Sequence, residues 1–261
     1  MSTATAPAPV RPVRLPATHS AVLRTEVRLF LREPGALFGI MVFPPLLLVI
    51  LGSIPAFRDA GSGPAGLRLI DAYVPVTVLL PLIVAGLQAM APVIAGYRER
   101  GILRRMSTTP VRPPALLGAQ MVIHGVAALA SSLLSLAIGR IAFDVRLPQQ
   151  AFGYLLALVL AIVVALSLGA LVAARARTQK VASAIGSAVF FPSMFCAGVW
   201  VPVQAMPHAL ATVVELTPFG AAAQAMNEAA AGDWPSWAHL GVLALWAVVL
   251  TGAASRWFRW E

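Results

Sequence analysis

Residues 72–96 have the sequence AYVPVTVLLPLIVAGLQAMAPVIAG, twenty-five residues without a charged side chain. At about 1.5 Å per residue, a helix of this length exceeds the thickness of a bilayer's hydrocarbon core, which is about 30 Å. In a soluble domain about a quarter of the residues are charged. Only 11% of this 261-residue chain is charged, whereas 59% is hydrophobic. The stretch therefore predicts one span of a polytopic membrane protein.

Five other apolar runs share this character, which gives six predicted spans. Their approximate bounds are 36–57, 72–96, 115–139, 151–174, 181–201 and 237–256. In lipid every backbone N–H and C=O group must find a partner within its own segment, which favours helices. The runs are continuously apolar, unlike the alternating strands of a β-barrel. We predict an all-α fold with six transmembrane helices, forming a domain over residues 35–261.

The basic residues are divided unequally between the two predicted sides of the membrane. Fifteen of the 19 lie in the N-terminal arm, the loops after the second and fourth spans, and the C-terminus. Short loops rich in arginine and lysine stay in the cytoplasm, so both termini are predicted to be cytoplasmic. This topology explains the net charge of +9. Because the chain has no basic stripe or nucleic-acid recognition motif, no nucleic acid partner is expected.

The sequence before the first span divides into two parts. Residues 1–17 are rich in Ala, Pro and Thr, and are predicted to be a disordered cytoplasmic tail. Residues 18–34 are predicted to form an amphipathic helix at the membrane interface, because Arg24, Arg28 and Arg32 are spaced at i, i+4 and i+8 beside an apolar stripe. The alternative is an ordinary solvated helix ahead of the first span.

The connection between the fifth and sixth spans, residues 199–230, is too apolar for a solvated loop. Pro202, Pro207 and Pro218 break it into short pieces. We expect two short helices that enter the outer leaflet, because irregular backbone at membrane depth must be buried by protein. An amphipathic loop that lies on the membrane surface is the alternative.

The chain has no recognisable catalytic, cofactor-binding or metal-binding motif. The G-x-x-x-x-G-K-[ST], HExxH and GxSxG patterns are all absent. His124, in the third span, is expected to form a packing hydrogen bond, and Cys196 has no second cysteine to pair with. Ion-coupled transporters usually carry acids within their spans, and these spans have almost none. A partner protein must therefore supply the driving force for any transport.

The loop 97–114, YRERGILRRMSTTPVRPP, has the densest charge in the chain. The helix of the second span is expected to continue past Gly96, turn at Gly101 and lead into a short helix that ends at Pro110. Such a helix would be a rigid cytoplasmic lever between two spans. The alternative is a loop whose arginines only fix the topology.

The whole pattern resembles the permease subunits of type-2 ABC exporters, on the branch of drug and antibiotic exporters. The amphipathic entry helix, the first span, FCAGVWVPVQAMP and LTPFGAAAQAM support the resemblance. The motifs that carry it are Arg98-Glu99-Arg100-Gly101, Leu103-Arg104-Arg105, Thr109-Pro110-Val111 and Ala115-Leu116-Leu117. The turn at Thr217-Pro218-Phe219 departs from the Asn-Pro-Leu that is frequent in the family.

The resemblance implies a homodimer that binds two copies of a separate ABC ATPase, where ATP and Mg are held. No cofactor is expected in this chain itself. By the same resemblance, Arg24, Arg28 and Arg32 would brace the loop, and Glu99 would pair with one of these arginines. Pro202, Pro207 and Pro218 would belong to an external gate. The implied ATPase-coupling residues are Arg98, Glu99, Arg100, Gly101, Leu103, Arg104 and Arg105.

The predicted function is that of a permease subunit, without enzymatic activity, in the cytoplasmic (inner) membrane of a bacterium. It would export a hydrophobic or amphipathic substrate, such as a drug, a lipid or a lipid-linked glycan, at the expense of ATP hydrolysed by its partner. The alternative is a non-transporting scaffold or assembly factor that docks a cytoplasmic partner through residues 97–114.

Overall fold

The computed structural model describes residues 18–59, 61, 63, 68–106 and 113–257. Throughout these ranges the regular structure is helical, without a β-strand, which confirms the predicted all-α class. The predicted tail 1–17 and the predicted helix end at Pro110 lie outside them. The helices are α1 (Thr18–Phe30), α2 (Pro34–Ser53), α3 (Pro55–Arg58), α4 (Leu69–Glu99), α5 (Ile102–Met106), α6 (Pro113–Phe143), α7 (Ala151–Arg175), α8 (Gln179–Cys196), α9 (His208–Glu215), α10 (Pro218–Ala231) and α11 (Trp237–Trp257).

Five of these helices are long and apolar enough to cross a membrane, namely α2, α4, α6, α7 and α11. The remaining predicted span, 181–201, corresponds to α8, which has only 18 residues and begins with Gln179 and Lys180. The helix ends earlier than predicted because the chain turns at Gly198, where φ is +85°. The count of six spans therefore stays a prediction.

Helix α4 is the central helix of the bundle. Nearly all of its side chains from Val74 to Tyr97 are buried, and α2, α6, α7, α8 and α10 pack around it. The outer helices keep apolar side chains exposed, such as Ile141 on α6 and Val248 on α11. Exposed apolar faces of this kind suit contact with lipid tails.

The backbones of α4 and α7 touch at two glycines. A Cβ atom added at Gly86 would overlap the carbonyl oxygen of Ala165, and one added at Gly169 would overlap the carbonyl oxygen of Gly86. In membranes, small residues allow helices to approach closely enough for strong van der Waals packing. The crossing point therefore requires glycine at both positions.

The connection between α8 and α11 forms a 3₁₀ turn, Val203–Ala205, followed by the helical hairpin α9–α10. The prediction of two short helices here is confirmed, although their depth in the membrane stays a prediction. Pro207 directly precedes α9 and Pro218 is the first residue of α10, positions where the missing proline N–H has no cost. Helix α10 is largely buried against α4, α7 and α11.

Helix α4 separates two ends of the bundle. Its 31 residues make it roughly 46 Å long. The hairpin end contains Arg68, the connection 144–149 and the hairpin α9–α10. The arginine-rich end contains residues 98–106 and the turn 175–179 between α7 and α8.

Candidate functional site

Three consecutive residues at the end of α4 each bind a different part of the molecule. Tyr97 bonds to α1, Arg98 to the end of α7, and Glu99 to the start of α8. The three side chains point in different directions because neighbouring residues on a helix are rotated by about 100° from one another. The end of the central helix is thereby fixed to three surrounding elements.

Tyr97 takes part in a buried polar cluster with Glu26 and Gln120. Its hydroxyl donates a hydrogen bond to Glu26 Oε2 at 2.7 Å, and Gln120 Nε2 donates to the same oxygen at 2.6 Å. Glu26 is only 7% exposed. Burial raises the pKa of its carboxyl group, while the two hydrogen bonds act in the opposite direction. The cluster joins α1 to α4 and α6.

Sequence reasoning missed Glu26, although a signal for it is present. Glu26 lies at i+4 from Val22 and i−4 from Phe30, and this row of α1 faces the bundle. A single acid within an otherwise apolar helical row indicates a buried partner. The prediction instead followed the neighbouring row of arginines.

Arg98 binds the carboxyl end of α7. Its Nη1 atom donates to the carbonyl oxygens of Ala173 at 2.5 Å and Ala176 at 2.8 Å. The last four carbonyl groups of a helix lack partners within the helix, and they carry its negative partial charge. The guanidinium group therefore donates hydrogen bonds to carbonyl groups that lack a partner in the helix, and its positive charge balances the negative partial charge of the helix end.

Glu99 binds the amino end of the next helix. Its Oε2 accepts a hydrogen bond from the backbone N–H of Gln179, the first residue of α8, at 2.9 Å. A carboxylate is favoured there because the amino end of a helix carries a positive partial charge. Arg98 and Glu99 thus hold the turn 175–179 from its two sides.

This arrangement shows that the predicted ion pair between Glu99 and an arginine of α1 is wrong. Helix α1 turns Glu26 toward the bundle, so Arg24, Arg28 and Arg32 are exposed on another face. Glu99 binds Gln179 instead. Helix α1 ends at Phe30, earlier than the predicted 34, so Arg24 and Arg28 lie exposed on the helix while Arg32 lies in the turn after it. The location of the helix at the membrane interface and its role as a brace stay predictions.

Helix α5 is attached to this site by the apolar side chains of Ile102 and Leu103. Gly101, with φ +66°, provides the predicted turn after α4. Leu103 is 2% exposed and packs in a cluster with Tyr97 and Leu116. The Arg100 guanidinium lies 5.6 Å from the centre of the Tyr97 ring.

Two further arginines of the predicted coupling loop point away from the bundle. Arg104 and Arg105 are exposed, and Arg105 Nη2 donates to the Arg100 carbonyl oxygen at 3.3 Å. Residues 107–112 of the loop lie outside the described ranges. The described part is a short helix with one buried anchor and outward cations, a shape suited to docking a partner.

The predicted gate residues mark the hairpin but do not meet at one point. Pro202 is buried at the 3₁₀ turn, while Pro207 is exposed before α9 and Pro218 begins α10. Polar side chains, rather than the prolines, connect the hairpin to its surroundings. The role of the three prolines as an external gate stays a prediction.

A chain of polar contacts, not anticipated from sequence, holds the hairpin end together. Gln204 Nε2 donates to Gln224 Oε1 at 2.8 Å, and Gln224 Nε2 donates to Glu215 Oε1 at 2.7 Å. The His239 ring lies between two carboxylates, with Nδ1 3.0 Å from Glu228 Oε1 and Nε2 4.0 Å from Glu215 Oε2. Beside this network lies a cavity of about 790 Å³.

The two side chains singled out within the spans lie in packed surroundings. His124 is 1% exposed, its Nδ1 lies 2.9 Å from the Gln120 carbonyl oxygen, and its ring meets Phe30 edge to face. The expectation of a packing hydrogen bond at His124 is confirmed. Cys196 is a free thiol. Within the described ranges, no three His, Cys, Asp or Glu side chains are grouped to hold a metal.

The fold and the site together define a class: a multi-pass helical membrane protein whose central span ends in a short, firmly anchored helix. A family model described as ABC-2 family transporter protein matches residues 53–256. The chain belongs to this family and is an ABC-2 type permease, a transmembrane component that is not itself catalytic. The family implies an ABC ATPase partner. A search of curated proteins finds no match.

The matched range begins at the end of α2, so α1 lies outside it. Arg98, Glu99 and Leu103 lie inside the range that the family model matches. The cluster around Glu26 therefore connects a helix outside the family match to the central helix within it.

Proposed function

We propose that this chain is the permease subunit of an ATP-driven exporter in a bacterial inner membrane, with both termini in the cytoplasm. Two copies would form the pathway and bind two copies of a separate ATPase, which holds ATP and Mg. The substrate would be hydrophobic or amphipathic, such as a drug, a lipid or a lipid-linked glycan. The attachment of α5 to the end of the central helix is the observation that carries this proposal.

Movement of α5 would be transmitted to several spans at once. Leu103 packs on Tyr97 and Leu116, so a push on α5 acts directly on α4 and α6. Arg98 and Glu99 then carry the movement to α7 and α8 through the turn 175–179. ATP-driven closure of two ATPases would shift these spans as a rigid group, a transition biased by a bound ligand.

Replacing Glu99 tests this coupling. We expect Glu99→Ala to keep expression and ATPase binding but to reduce ATP-dependent export, because the first residue of α8 loses its hydrogen bond to the end of α4. Glu99→Gln retains an oxygen that can accept from the Gln179 N–H, so it should export more than the alanine variant. The measurement is export by the reconstituted complex, with co-purified ATPase quantified for each variant. Equal export by Glu99→Ala and the wild type would remove this contact from the mechanism.

The mass of the gently extracted complex tests the assembly. Two copies of this chain with two copies of the ATPase are expected, because one copy has too few polar groups within its spans to line a pathway. A chain that exports as a monomer would refute the dimer. A dimer that never binds an ATPase would favour the non-transporting scaffold.

A further inference from the structure

A stacked pair of side chains joins the ends of α7 and α11 at the arginine-rich end of the bundle. Arg175 is the last residue of α7, and its Cζ atom lies 3.9 Å from the centre of the Trp257 ring on α11. About two turns deeper in the bundle, the hydroxyl groups of Ser167 and Thr251 form a hydrogen bond of 2.8 Å between the same two helices. A guanidinium group stacked on an aromatic ring is held in place by the face of the ring. Its N–H groups still point outward in the guanidinium plane.

The stacked guanidinium group has donors to spare. Arg175 is exposed, and none of its N–H groups donates to a residue that the structure describes. The planar fork of an arginine matches the oxygen atoms of a phosphate group, to which it can donate two parallel hydrogen bonds. The pair therefore presents an oriented donor for an oxyanion.

The surroundings of the pair are cationic. Three further basic residues lie within five residues of it in the chain, are exposed and form no ion pair with a described residue: Arg177, Lys180 and Arg256. The carboxylate at this turn, that of Glu99, is bound to the Gln179 N–H. Residues 258–261, outside the described ranges, contain one arginine and one glutamate, so their charges cancel. This cationic patch attracts anions.

The position of the patch at the edge of an apolar surface favours a lipid as the anion. Trp257 is 44% exposed at the end of a helix that is long and apolar enough to cross a membrane. Tryptophan at such a position is typical of the headgroup level of a bilayer. More than two turns deeper on the same helix, Val248 and Val249 are 72% and 49% exposed. Acyl chains can cover these valines while a headgroup lies beside Arg175.

We propose that this patch binds the phosphate headgroup of an anionic phospholipid. The N–H groups of Arg175 donate to the phosphate oxygens, and Trp257 holds the guanidinium group at headgroup depth. Arg177 and Arg256 supply the surrounding positive charge. A zwitterionic headgroup binds less tightly, because it carries a cation beside its phosphate and the patch repels that cation. This binding does not depend on transport, so it can be tested apart from the proposed function.

Native mass spectrometry of the purified full-length permease in detergent, with lipid added back, tests the proposal. The probes are phosphatidylglycerol, phosphatidylcholine and water-soluble glycerol phosphate. We expect phosphatidylglycerol to bind at least about fivefold more tightly than phosphatidylcholine. Glycerol phosphate should not displace it, because glycerol phosphate has no acyl chains. Equal binding of the two lipids would overturn the proposal, and displacement by glycerol phosphate would assign the patch to a soluble anion instead.

Substitutions of the stacked pair locate the bound lipid. Arg175→Gln should weaken phosphatidylglycerol binding by about fivefold, the effect of one basic residue at a lipid surface. Arg175→Lys keeps the charge but loses the planar fork, so its affinity should lie between those of Arg175→Gln and the wild type. Trp257→Leu keeps an apolar side chain but removes the stacking, and it should also weaken binding.

The matched control is Arg146→Gln, which removes an exposed arginine at the hairpin end. Equal loss of binding in Arg146→Gln and Arg175→Gln would indicate attraction to the whole surface and refute the site. Arg177→Gln leaves the stacked pair intact, so it tests the patch even if the substitutions of Arg175 disturb the fold. It should weaken phosphatidylglycerol binding by a factor similar to that of Arg175→Gln.

An acidic surface of a protein partner is the competing occupant of the patch. Measuring co-purified ATPase for the same variants separates the two. If Arg175→Gln lowers the amount of bound ATPase but leaves phosphatidylglycerol binding unchanged, the patch is a protein interface and the lipid proposal fails. If it weakens phosphatidylglycerol binding while the ATPase stays bound, the patch is a lipid site.

Discussion

Replacing Glu26 with alanine removes the shared acceptor of two buried donors, the Tyr97 hydroxyl and the Gln120 amide. Each buried donor without an acceptor costs about 1–3 kcal/mol. The variant also relieves the cost of burying a carboxylate, which offsets part of this loss. We therefore expect Glu26→Ala to lower the free energy of unfolding by roughly 2–4 kcal/mol.

Glu26→Gln is the matched variant, because its amide oxygen still accepts hydrogen bonds while the charge is gone. Burial raises the pKa of Glu26, so the folded protein holds this proton more tightly than the unfolded chain. The resulting stability is fully present below about 4.5, the usual pKa of a glutamate, and is lost as the pH rises through the higher pKa of the folded state. Glu26→Gln should lack this pH dependence.

Thermal unfolding of the purified permease, followed by tryptophan fluorescence at acid and neutral pH, measures both effects. Tyr97→Phe should destabilise the wild type but add little to Glu26→Ala, because the two side chains share one hydrogen bond. Arg28→Ala, exposed on the same helix, is the control. If Glu26→Ala unfolds at the same temperature as Arg28→Ala, the cluster does not stabilise the fold.

Two further predictions concern packing and topology. Gly86→Val should destabilise the permease by about 1–3 kcal/mol in the same thermal assay. The control is Gly252→Val, which should not destabilise it, because a Cβ added at Gly252 meets nothing within 4 Å. Equal effects of the two substitutions would refute the close crossing of α4 and α7. In a Cys196→Ser background, Leu147→Cys should react with an impermeant thiol reagent outside intact cells and Thr178→Cys only after lysis, because 15 of the 19 basic residues lie on the predicted inner side. Outside labelling of residue 178 would reverse the topology.

The long helices and their breaks could be predicted from local sequence. Continuous apolar runs indicated the spans, Gly101 indicated the turn after α4, and the prolines indicated that the connection between the last two predicted spans is broken into two short helices. These features depend on residues close together in the chain. The end of α8 was placed too late because the residues after Gly198 are as apolar as the helix itself.

The partners of Glu26 and Glu99 depend on contacts between distant segments. A helical pattern shows that Arg24, Arg28 and Arg32 form one row, but not which row faces the bundle. Glu99 binds the amino end of α8 rather than an arginine because the fold brings Gln179, 80 residues away in sequence, beside it. The cavity was missed for the same reason, because four separate segments build it and no local pattern connects them.

The contacts of Arg98 and Glu99 limit how this permease can be recombined with others. The arginine-rich loop works with parts of the chain that lie outside it: Glu26, Gln120 and the turn 175–179. A graft of residues 97–106 alone into another permease would transfer a cation and an anion without the helix ends that they cap. If this loop docks the ATPase as we propose, an exchange of ATPase specificity would require all of these segments to be moved together.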